Sequence, residues 1–463
     1  MATRPTAEAE ATLVVDGCAV VTMDGNRSEY AVGHVVVAGS RIVSVGSGPA
    51  PDTAATAGAR RVDGRGCLLT PGLVNTHHHL YQWATRGLAV DSTLFEWLTA
   101  LYPVWARIDE DGVGASATAG LAWLARTGCT TSMDHHYVFP CDGGDVLGAE
   151  IESARAVGLR FLATRGSMDL GESRGGLPPD HVVEDVDAIL AASVAAIDEH
   201  HDASPDSMLR IGLAPCSPFS VTKELLVESA ALARDKGVRL HTHVAETLDE
   251  DAYCREHFGA SPVDHMGSLG WLGPDVWFAH GIHFDDAGIA KLARTKTGVA
   301  HCPSSNARLG AGIARVHDLR AAGAPVGLGV DGTASNEAGS LIAEVRQAVL
   351  VARVRGGPRA LTVRDALHTA TIGGARVLGW DDQIGSLEVG KQADLALWRL
   401  DTLAHAGVVD PVAALVLGVT PPLELLTVAG RPVVECDQLV TVDETVVTRE
   451  ALAAHRRLLD AQR

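Results

Sequence analysis

Two patterns of apolar and polar positions alternate along this chain. Up to about residue 65, β-branched runs such as "ATLVVDGCAVVTM" and "HVVVAGSRIVSVG" are broken by Gly and Asp, as is typical of strands joined by tight turns. From Pro71 onward, short apolar runs alternate with longer Ala- and Leu-rich segments that carry scattered charges. After about residue 385 the first pattern returns in "IGSLEVGKQADLALWRL" and "LLTVAGRPVVE". The chain is therefore predicted to begin and end in β-structure, with a different fold between.

The middle of the chain contains eight apolar runs, most of them followed by a candidate helix. They are "LLTPGLVNT", "CTTSMDHH", "LRFLATRG", "LRIGLAPCSP", "VRLHTHVAE", "VWFAHG", "TGVAHCPSS" and "APVGLGVDG". A repeated strand–helix unit indicates a parallel sheet, and eight units favour a (β/α)8 barrel over an open doubly wound sheet. The predicted fold class is α/β: a TIM-like (β/α)8 barrel with a small β-sandwich domain built from both termini.

This pattern also predicts where the domains begin and end. Residues 1–68 are expected to form the first part of the β-domain and residues 69–380 the barrel. Residues 381–463 are expected to complete the β-domain and to end in a helix, "TREALAAHRRLLDAQR".

Composition narrows the expected partners and location. The 463 residues include 57 Asp and Glu against 38 Lys and Arg, a formal charge of −19, and such an acidic surface repels phosphate backbones. The eight cysteines form no CxxC pair, and the first residues, "MATRPTAEAEAT", lack an apolar signal core. No apolar run is long enough to cross a membrane. We therefore expect a cytoplasmic protein with reduced thiols that binds neither nucleic acid nor membrane.

Three consecutive histidines follow the first predicted barrel strand, in "NTHHHL". Alternate residues of an extended segment share one face, so His77 and His79 can approach one ion while His78 points away. Taken alone, the run is also compatible with polar residues at a strand end. Active sites of such barrels form at this end of the strands, so the residues after the other strands decide between the two interpretations.

Further candidate residues follow three other predicted strands. The fifth run ends in "HTHVAE", which contains His243 and Glu246; the sixth ends at His280, and Asp331 follows the eighth. Together with the histidine pair, His243 and Asp331 make three imidazoles and one carboxylate, a set that suits a divalent ion such as Zn²⁺ and leaves a position for water. Glu246 and His280 would then lie beside that water.

Six motifs spread over nearly the whole chain resemble those of a known superfamily. They are "PGLVNTHHHL" (71–80), "HTHVAE" (241–246), "FAHG" (278–281), "HCPSSN" (301–306), "GVDGTASN" (329–336) and "IGSLEVGKQADLALW" (384–398). Their order and spacing resemble the amidohydrolase superfamily of metal-dependent hydrolases, in its cytosine, guanine and triazine deaminase-like branch. The segments "NTHHHLYQWATRG", "GCTTSMDHHYVFP", "GSMDLGESRGGLPPD" and "APCSPFSVTKELL" are in addition similar to the 8-oxoguanine deaminases of that branch.

The resemblance implies hydrolytic removal of an amino group from a heterocycle, with 8-oxoguanine converted to urate and ammonia. It places the family's metal ligands on His77, His79, His243 and Asp331. Binuclear members carry a bridging lysine after strand four; this chain has "IGLAPCSP" there, so one divalent ion is expected, Zn²⁺ or alternatively Fe²⁺.

The resemblance also implies the proton-transfer groups. Asp331 is expected to accept the proton of the attacking water and His280 to orient that water. Glu246 is expected to protonate a ring nitrogen and later the departing amine. His78, His135, His136 and His241 are interpreted as supporting residues.

Four residues are candidates for contacts with a small heterocyclic substrate. Gln82 follows the histidines, and its amide both donates and accepts, which suits a purine edge. Cys216 follows strand four, and Trp105 and Tyr137 offer rings for stacking. A homo-oligomer is expected.

Several alternatives remain at this point. Guanine, isoguanine, a pterin or an aminotriazine would suit the same metal site, as would a triazine that loses chloride or an alkylamine. A catalytically silent relative serving as a binding or scaffold protein would have lost a ligand or Glu246, and this chain retains all of them. A cytidine-type zinc deaminase requires Pro-Cys-X-X-Cys, and "APCSPF" has Phe219 in place of the second cysteine.

Overall fold

A computed structural model describes residues 10–53 and 55–460, and within them seventeen strands and fifteen α-helices. The strands are β1 (Leu13–Val21), β2 (Glu29–Ala38), β3 (Arg41–Ser47), β4 (Arg60–Asp63), β5 (Cys67–Pro71), β6 (Leu73–Asn75), β7 (Cys129–His136), β8 (Arg160–Ser167), β9 (Leu209–Pro215), β10 (Arg239–Val244), β11 (Val276–His280), β12 (Gly298–His301), β13 (Val326–Leu328), β14 (Leu395–Arg399), β15 (Leu423–Val428), β16 (Arg431–Glu435) and β17 (Gln438–Leu439). The helices are α1 (Leu94–Trp105), α2 (Glu110–Arg126), α3 (Val146–Val157), α4 (Val186–His200), α5 (Lys223–Lys236), α6 (Leu248–Phe258), α7 (Pro262–Ser268), α8 (Asp286–Thr295), α9 (Pro303–Arg308), α10 (Val316–Ala322), α11 (Leu341–Gly356), α12 (Val363–His368), α13 (Gly374–Leu378), α14 (Pro411–Leu417) and α15 (Glu444–Asp460).

Strands β6 to β13 close into an eight-stranded parallel barrel. Each predicted apolar run contains one of these strands, and β13 pairs with β6 through Leu328 and Asn75 to complete the ring. Strands β7 and β8 are buried along their whole length, because the barrel interior lies on one side and helices cover the other. The predicted (β/α)8 barrel is confirmed, and the open doubly wound sheet is excluded.

The strands of the two termini form a separate mixed sheet. Its order is β17-β16-β15-β14-β5-β1-β2-β3, with β4 alongside β1. The central pair, β5 and β14, joins the N-terminal and C-terminal parts through antiparallel pairing of Leu69 with Leu397. The predicted β-domain built from both termini is thus observed as one sheet.

The run "LLTPGLVNT" is divided between the two sheets. Strand β5 belongs to the terminal sheet and β6 to the barrel, with Gly72 between them. A Cβ on Gly72 would lie 2.1 Å from Thr130 Cγ2, so a side chain does not fit at this crossing. The division of the chain at residues 68/69 and 380/381 stays a prediction.

Local signals determine where the helices begin and end. Helix α5 begins after Thr222, whose hydroxyl accepts the N–H of Leu225, and ends at Gly237, where φ is +70°. In the part of the chain that is described, no helix combines the length and apolar character needed to cross a bilayer. Residues 1–9, on which part of the prediction of a cytoplasmic location rests, lie outside the described residues.

The barrel and the terminal sheet meet at Trp398 of β14. Its buried indole N–H donates to Thr70 Oγ1 at 3.0 Å, and its ring lies against Gly128, just before β7. A Cβ on Gly128 would approach Trp398 Cη2 to 2.0 Å, and φ there is +89°. Gly128 therefore allows the two sheets to pack closely.

Replacing Gly128 by alanine is expected to lower the free energy of unfolding by about 3 kcal/mol, from overpacking against a rigid ring and an unfavourable backbone conformation. Gly87→Ala is the matched control, since φ is +75° there but nothing lies within 4 Å of the added Cβ. That control is expected to cost about 1 kcal/mol. Urea denaturation measures both, and equal stability of the two variants would contradict the packing explanation.

Candidate active site

The carboxyl ends of the barrel strands bring the six predicted metal and acid–base residues together. They are His77 and His79 after β6, His243 in β10, Glu246 after β10, His280 at the end of β11 and Asp331 after β13. None is more than 8% exposed. Parallel strands in a closed barrel all end at the same rim, so residues more than 250 positions apart in the chain become neighbours.

Left-handed backbone occurs at three non-glycine residues of this rim. The φ angle is +58° at Ala245, +69° at His280 and +62° at Asp331. Side chains other than glycine rarely adopt this conformation, and such strain is concentrated at functional sites. The strained backbone therefore marks the same rim as the predicted residues.

Hydrogen bonds to main-chain carbonyls determine which nitrogen of His79 and His243 carries a proton. His79 Nδ1 lies 2.7 Å from the carbonyl oxygen of His135, and His243 Nδ1 lies 2.6 Å from that of Cys216. A carbonyl oxygen can only accept, so both Nδ1 atoms donate and both Nε2 atoms present lone pairs. These Nε2 atoms are 3.1 Å apart, a separation at which two lone pairs repel unless they share a cation.

The proton position of His77 follows in the same way, from two successive hydrogen bonds. His241 Nδ1 donates to the carbonyl of Trp277 at 2.9 Å, so its Nε2 accepts from His77 Nδ1 at 2.8 Å. His77 Nε2 is then a bare lone pair, buried and without a hydrogen bond to any described residue. Its distance to Asp331 Oδ1 is 3.3 Å, and that of His79 Nε2 to the same oxygen is 3.4 Å.

The electrostatics keep these groups in the forms that metals bind. Burial lowers the pKa of His79 to about 4 and that of His243 to about 3, so both imidazoles are neutral. Burial acts to raise the pKa of Asp331, but its contacts with His77 and the charge of His280 hold it well below its ordinary value. Burial also lowers the pKa of His77 well below its ordinary value. Three neutral imidazoles and one carboxylate therefore approach one another, which fits a divalent cation.

Glu246 and His280 lie beside this set. His280 Nε2 is 3.6 Å from Glu246 Oε2 and 3.9 Å from Asp331 Oδ2, while its Nδ1 donates to Asn306 Oδ1 at 2.9 Å. Burial acts to lower the pKa of His280, but the two carboxylates raise it above its ordinary value. Burial raises the pKa of Glu246 to about 7, so this carboxyl can both hold and release a proton near neutral pH.

The pocket above these residues receives three of the four predicted substrate contacts. Gln82, Tyr137 and Cys216 line it. Neither the oxygen nor the nitrogen of the buried Gln82 amide has a hydrogen-bond partner among the described residues. A Cβ on Gly332 would lie 1.7 Å from Gln82 Oε1, so the glycine after Asp331 lets this amide lie beside the predicted ligand.

Comparison with known proteins agrees with this geometry. The model of the amidohydrolase family matches residues 68–432. This chain belongs to the amidohydrolase family. The resemblance predicted from the sequence motifs is confirmed.

Two curated relatives in this family are deaminases. The 8-oxoguanine deaminase of Pseudomonas aeruginosa is 47% identical over 403 residues, covering 86% of this chain and 89% of the relative. Isoxanthopterin deaminase from an unknown prokaryotic organism is 39% identical over 423 residues, covering 86% of this chain and 87% of the relative.

A solved amidohydrolase-family structure superposes on the whole molecule. Atrazine chlorohydrolase from Arthrobacter aurescens TC1, complexed with zinc, matches with a TM-score of 0.91 at 33% sequence identity. The match covers 96% of this chain and 100% of that one. The barrel and the terminal sheet described above are therefore the arrangement of a metal-containing relative.

Trp105 is not part of the pocket lining. Its ring packs against those of Tyr81, Trp97 and Tyr102, and its Nε1 donates to Thr85 Oγ1 at 3.0 Å. Trp97 and Tyr102, from the same helix α1, line the pocket instead. The sequence offered Trp105 as a ring for stacking, but only the packing of α1 shows which of its rings reach the barrel mouth.

Sequence reasoning missed residues that support the predicted groups from behind. Glu344 of α11 accepts the N–H of Ser304 at 3.0 Å and the side-chain amide of Asn336 at 2.9 Å. Asn336 in turn donates to the carbonyl of Val330, next to Asp331. Ser304 and Asn336 belong to motifs that were recognised, "HCPSSN" and "GVDGTASN", but a glutamate inside a helix gave no signal of its own.

Proposed function

We propose that this chain is a metal-dependent aminohydrolase that converts 8-oxoguanine to urate with release of ammonia. The observation that carries the proposal is the convergence of three bare imidazole nitrogens and a carboxylate beside the Glu246–His280 pair. The identity of 47% with an 8-oxoguanine deaminase over most of both chains supports this substrate. Isoxanthopterin and triazine relatives make a pterin or a triazine the alternative.

One divalent ion is proposed at the converging nitrogens, held by His77, His79, His243 and Asp331. Zinc is favoured because a structural relative is complexed with it, and Fe²⁺ is the alternative. The segment "IGLAPCSP", at the end of β9, contains no lysine to bridge a second ion. An ion bound there would lower the pKa of a coordinated water molecule towards neutrality and so supply the attacking hydroxide.

Each protein group then has one task in proton transfer. Asp331, held ionised by its histidine neighbours, is placed to accept the proton of the attacking water. His280, anchored through Nδ1 to Asn306, directs its Nε2 toward both carboxylates and orients that water. Glu246, protonated near neutral pH, donates to the ring nitrogen next to the attacked carbon. The proton that Asp331 accepted then reaches the departing amine through Glu246, and the proton of the hydroxyl group added to the ring restores the acid as ammonia leaves.

The unpaired amide of Gln82 is proposed to recognise the edge of the purine. Gln82→Met keeps the length of the side chain but removes its donor and its acceptor. We expect kcat/KM for 8-oxoguanine to fall about 10- to 100-fold, mainly through KM, since two buried hydrogen bonds are lost. Gln438→Met, at an exposed position on the terminal sheet, is the control and should match the wild type. Unchanged KM in the Gln82 variant would contradict this role.

A substrate screen tests the reaction itself. The purified protein is offered 8-oxoguanine, guanine, isoguanine, pterins and aminotriazines, and ammonia release is measured. The proposal expects the highest kcat/KM on 8-oxoguanine. Turnover restricted to chlorinated triazines, with chloride released in place of ammonia, would show that the chain is not a deaminase.

We further propose a homo-oligomer in the cytoplasm that does not bind nucleic acid. The formal charge of −19 supports the last point, because like charges repel a phosphate backbone. Light scattering coupled to gel filtration measures the oligomeric state directly.

A further inference from the structure

Glu250 of α6 makes an unusual contact for a residue in its position. The sequence Thr247-Leu-Asp-Glu250 has the pattern of a capping box, in which the glutamate of the first turn accepts the N–H of the capping residue. Thr247 makes the hydrogen bond expected of the capping residue, since its hydroxyl accepts the N–H of Glu250 at 3.2 Å. The carboxylate, however, reaches past Thr247 to the two residues before it.

Both oxygens of Glu250 bind the backbone next to the proposed acid. Oε1 accepts the N–H of Ala245 at 2.8 Å, and Oε2 accepts the N–H of Glu246 at 2.9 Å. Glu250 is 1% exposed, so water does not compete for these bonds. Burial raises the pKa of its carboxyl to about 7, while the two N–H donors favour the ionised form. At α1, by contrast, the exposed pair Thr93 and Glu96 forms an ordinary capping box. The contact of Glu250 is therefore not a requirement of starting a helix.

The bonded backbone is strained. Ala245 has φ of +58°, a conformation that costs an alanine roughly 1–2 kcal/mol. Its carbonyl accepts the N–H groups of Ile282 at 2.9 Å and His283 at 3.1 Å, which follow His280 in the chain. Residue Ala245 is thus held at its N–H by Glu250 and at its carbonyl by the segment that follows His280.

We propose that Glu250 is a positioning residue that clamps the backbone N–H groups of the left-handed Ala245 and of Glu246 and so aims the Glu246 carboxyl at His280 and the substrate. This proposal rests on the proposed function, since Glu250 would act through Glu246. In this geometry each oxygen of Glu250 accepts a different N–H, so both oxygens are used. Glutamine supplies only one and places an amino group against the other N–H.

Glu250→Gln is expected to lower kcat for ammonia release from 8-oxoguanine about 10- to 100-fold, while KM and metal content stay near wild type, because a displaced catalytic group costs about 100-fold for an error of 1 Å. Asp251→Asn is the matched control. It is the next residue of the same helix, and its side chain pairs at the surface with Arg255. A kcat equal to that of the control would overturn the proposal.

A double-mutant cycle separates positioning from general support of the fold. If Glu250 acts only through Glu246, adding Glu250→Gln to Glu246→Gln costs little further activity. If the two losses multiply, Glu250 supports the structure in some other way and the proposal is wrong. If Glu246→Gln kept full activity, the proposed role of Glu246 would be wrong, and so would the proposal that Glu250 acts through it.

Hydrogen exchange tests the clamp without any assay of activity. In the wild type, the amides of Ala245 and Glu246 lie beyond the end of β10, yet both should exchange slowly because Glu250 binds them. Fast exchange at both amides would overturn the clamp even if the protein is an active deaminase. This measurement also remains informative if Glu250→Gln does not fold.

Discussion

Glu246→Gln is expected to retain its metal ion and to lose about 10²- to 10⁴-fold in kcat, the usual contribution of a positioned acid–base group. Glutamine keeps the length of the side chain and can still face His280, but it has no carboxyl proton to give to the ring nitrogen. Ammonia release from 8-oxoguanine measures the loss, and elemental analysis of the purified variant measures the metal. Wild-type activity in this variant would show that the role of Glu246 is wrong.

Proton donation by Glu246 also predicts the direction in which kcat/KM changes with pH. Burial raises the pKa of Glu246 to about 7, so the carboxyl is protonated below that pH and ionised above it. Because the protonated form is the donor, kcat/KM of the wild type should fall as pH rises through about 7. The glutamine variant should lack this limb, since its amide does not titrate. A profile that instead rises through this range would indicate that Glu246 acts first as a base.

His79→Asn is expected to reduce bound metal from about one ion per chain to a small fraction and to abolish turnover, because a four-ligand site loses one imidazole. Asparagine is shorter, and no oxygen or nitrogen of its side chain reaches the position of Nε2, 3.1 Å from His243. Elemental analysis after dialysis against a weak chelator gives the metal content. Activity is measured with and without added zinc.

His78→Asn is the matched control from the same run of three histidines. His78 Nδ1 accepts the N–H of His79 at 2.8 Å, and an asparagine oxygen can take the same bond. Its Nε2 contacts no member of the metal set by hydrogen bond. This variant should keep its metal. If His78→Asn lost as much metal as His79→Asn, the three histidines would support the site as a structural unit. The prediction that His77 and His79 bind the ion while His78 does not would then be wrong.

Much of the fold was predictable because the spacing of apolar residues, and the order of strands and helices that it indicates, can be read directly along the chain. Eight apolar runs followed by helical segments predicted eight parallel strands, and all eight are in the barrel. The run "LLTPGLVNT" shows the limit of this approach. It reads as one strand, but Gly72 divides it between two sheets, since only the packing of Thr130 against that glycine shows where the chain crosses.

The candidate site was predictable where residue type and strand position coincide. His77 and His79 share a strand face, and the barrel brings His243 and Asp331 to the same rim. Their roles as ligands stay predictions, as do the substrate contacts. Trp105 shows why aromatic residues were harder to place. It lies in the same helix as Trp97 and Tyr102, which line the pocket, but its own ring packs against theirs.

The sequence by itself determined the family, the barrel and the chemical types that meet at its rim, because these depend on residue identity and on spacing along the chain. Only the tertiary structure decided which nitrogen of each histidine is free and what holds Glu246 in place. The free histidine nitrogens depend on hydrogen bonds between segments far apart in sequence, such as His77 with His241. The Glu250 contact is short in sequence, but it depends on a left-handed turn at Ala245 that no local pattern indicated.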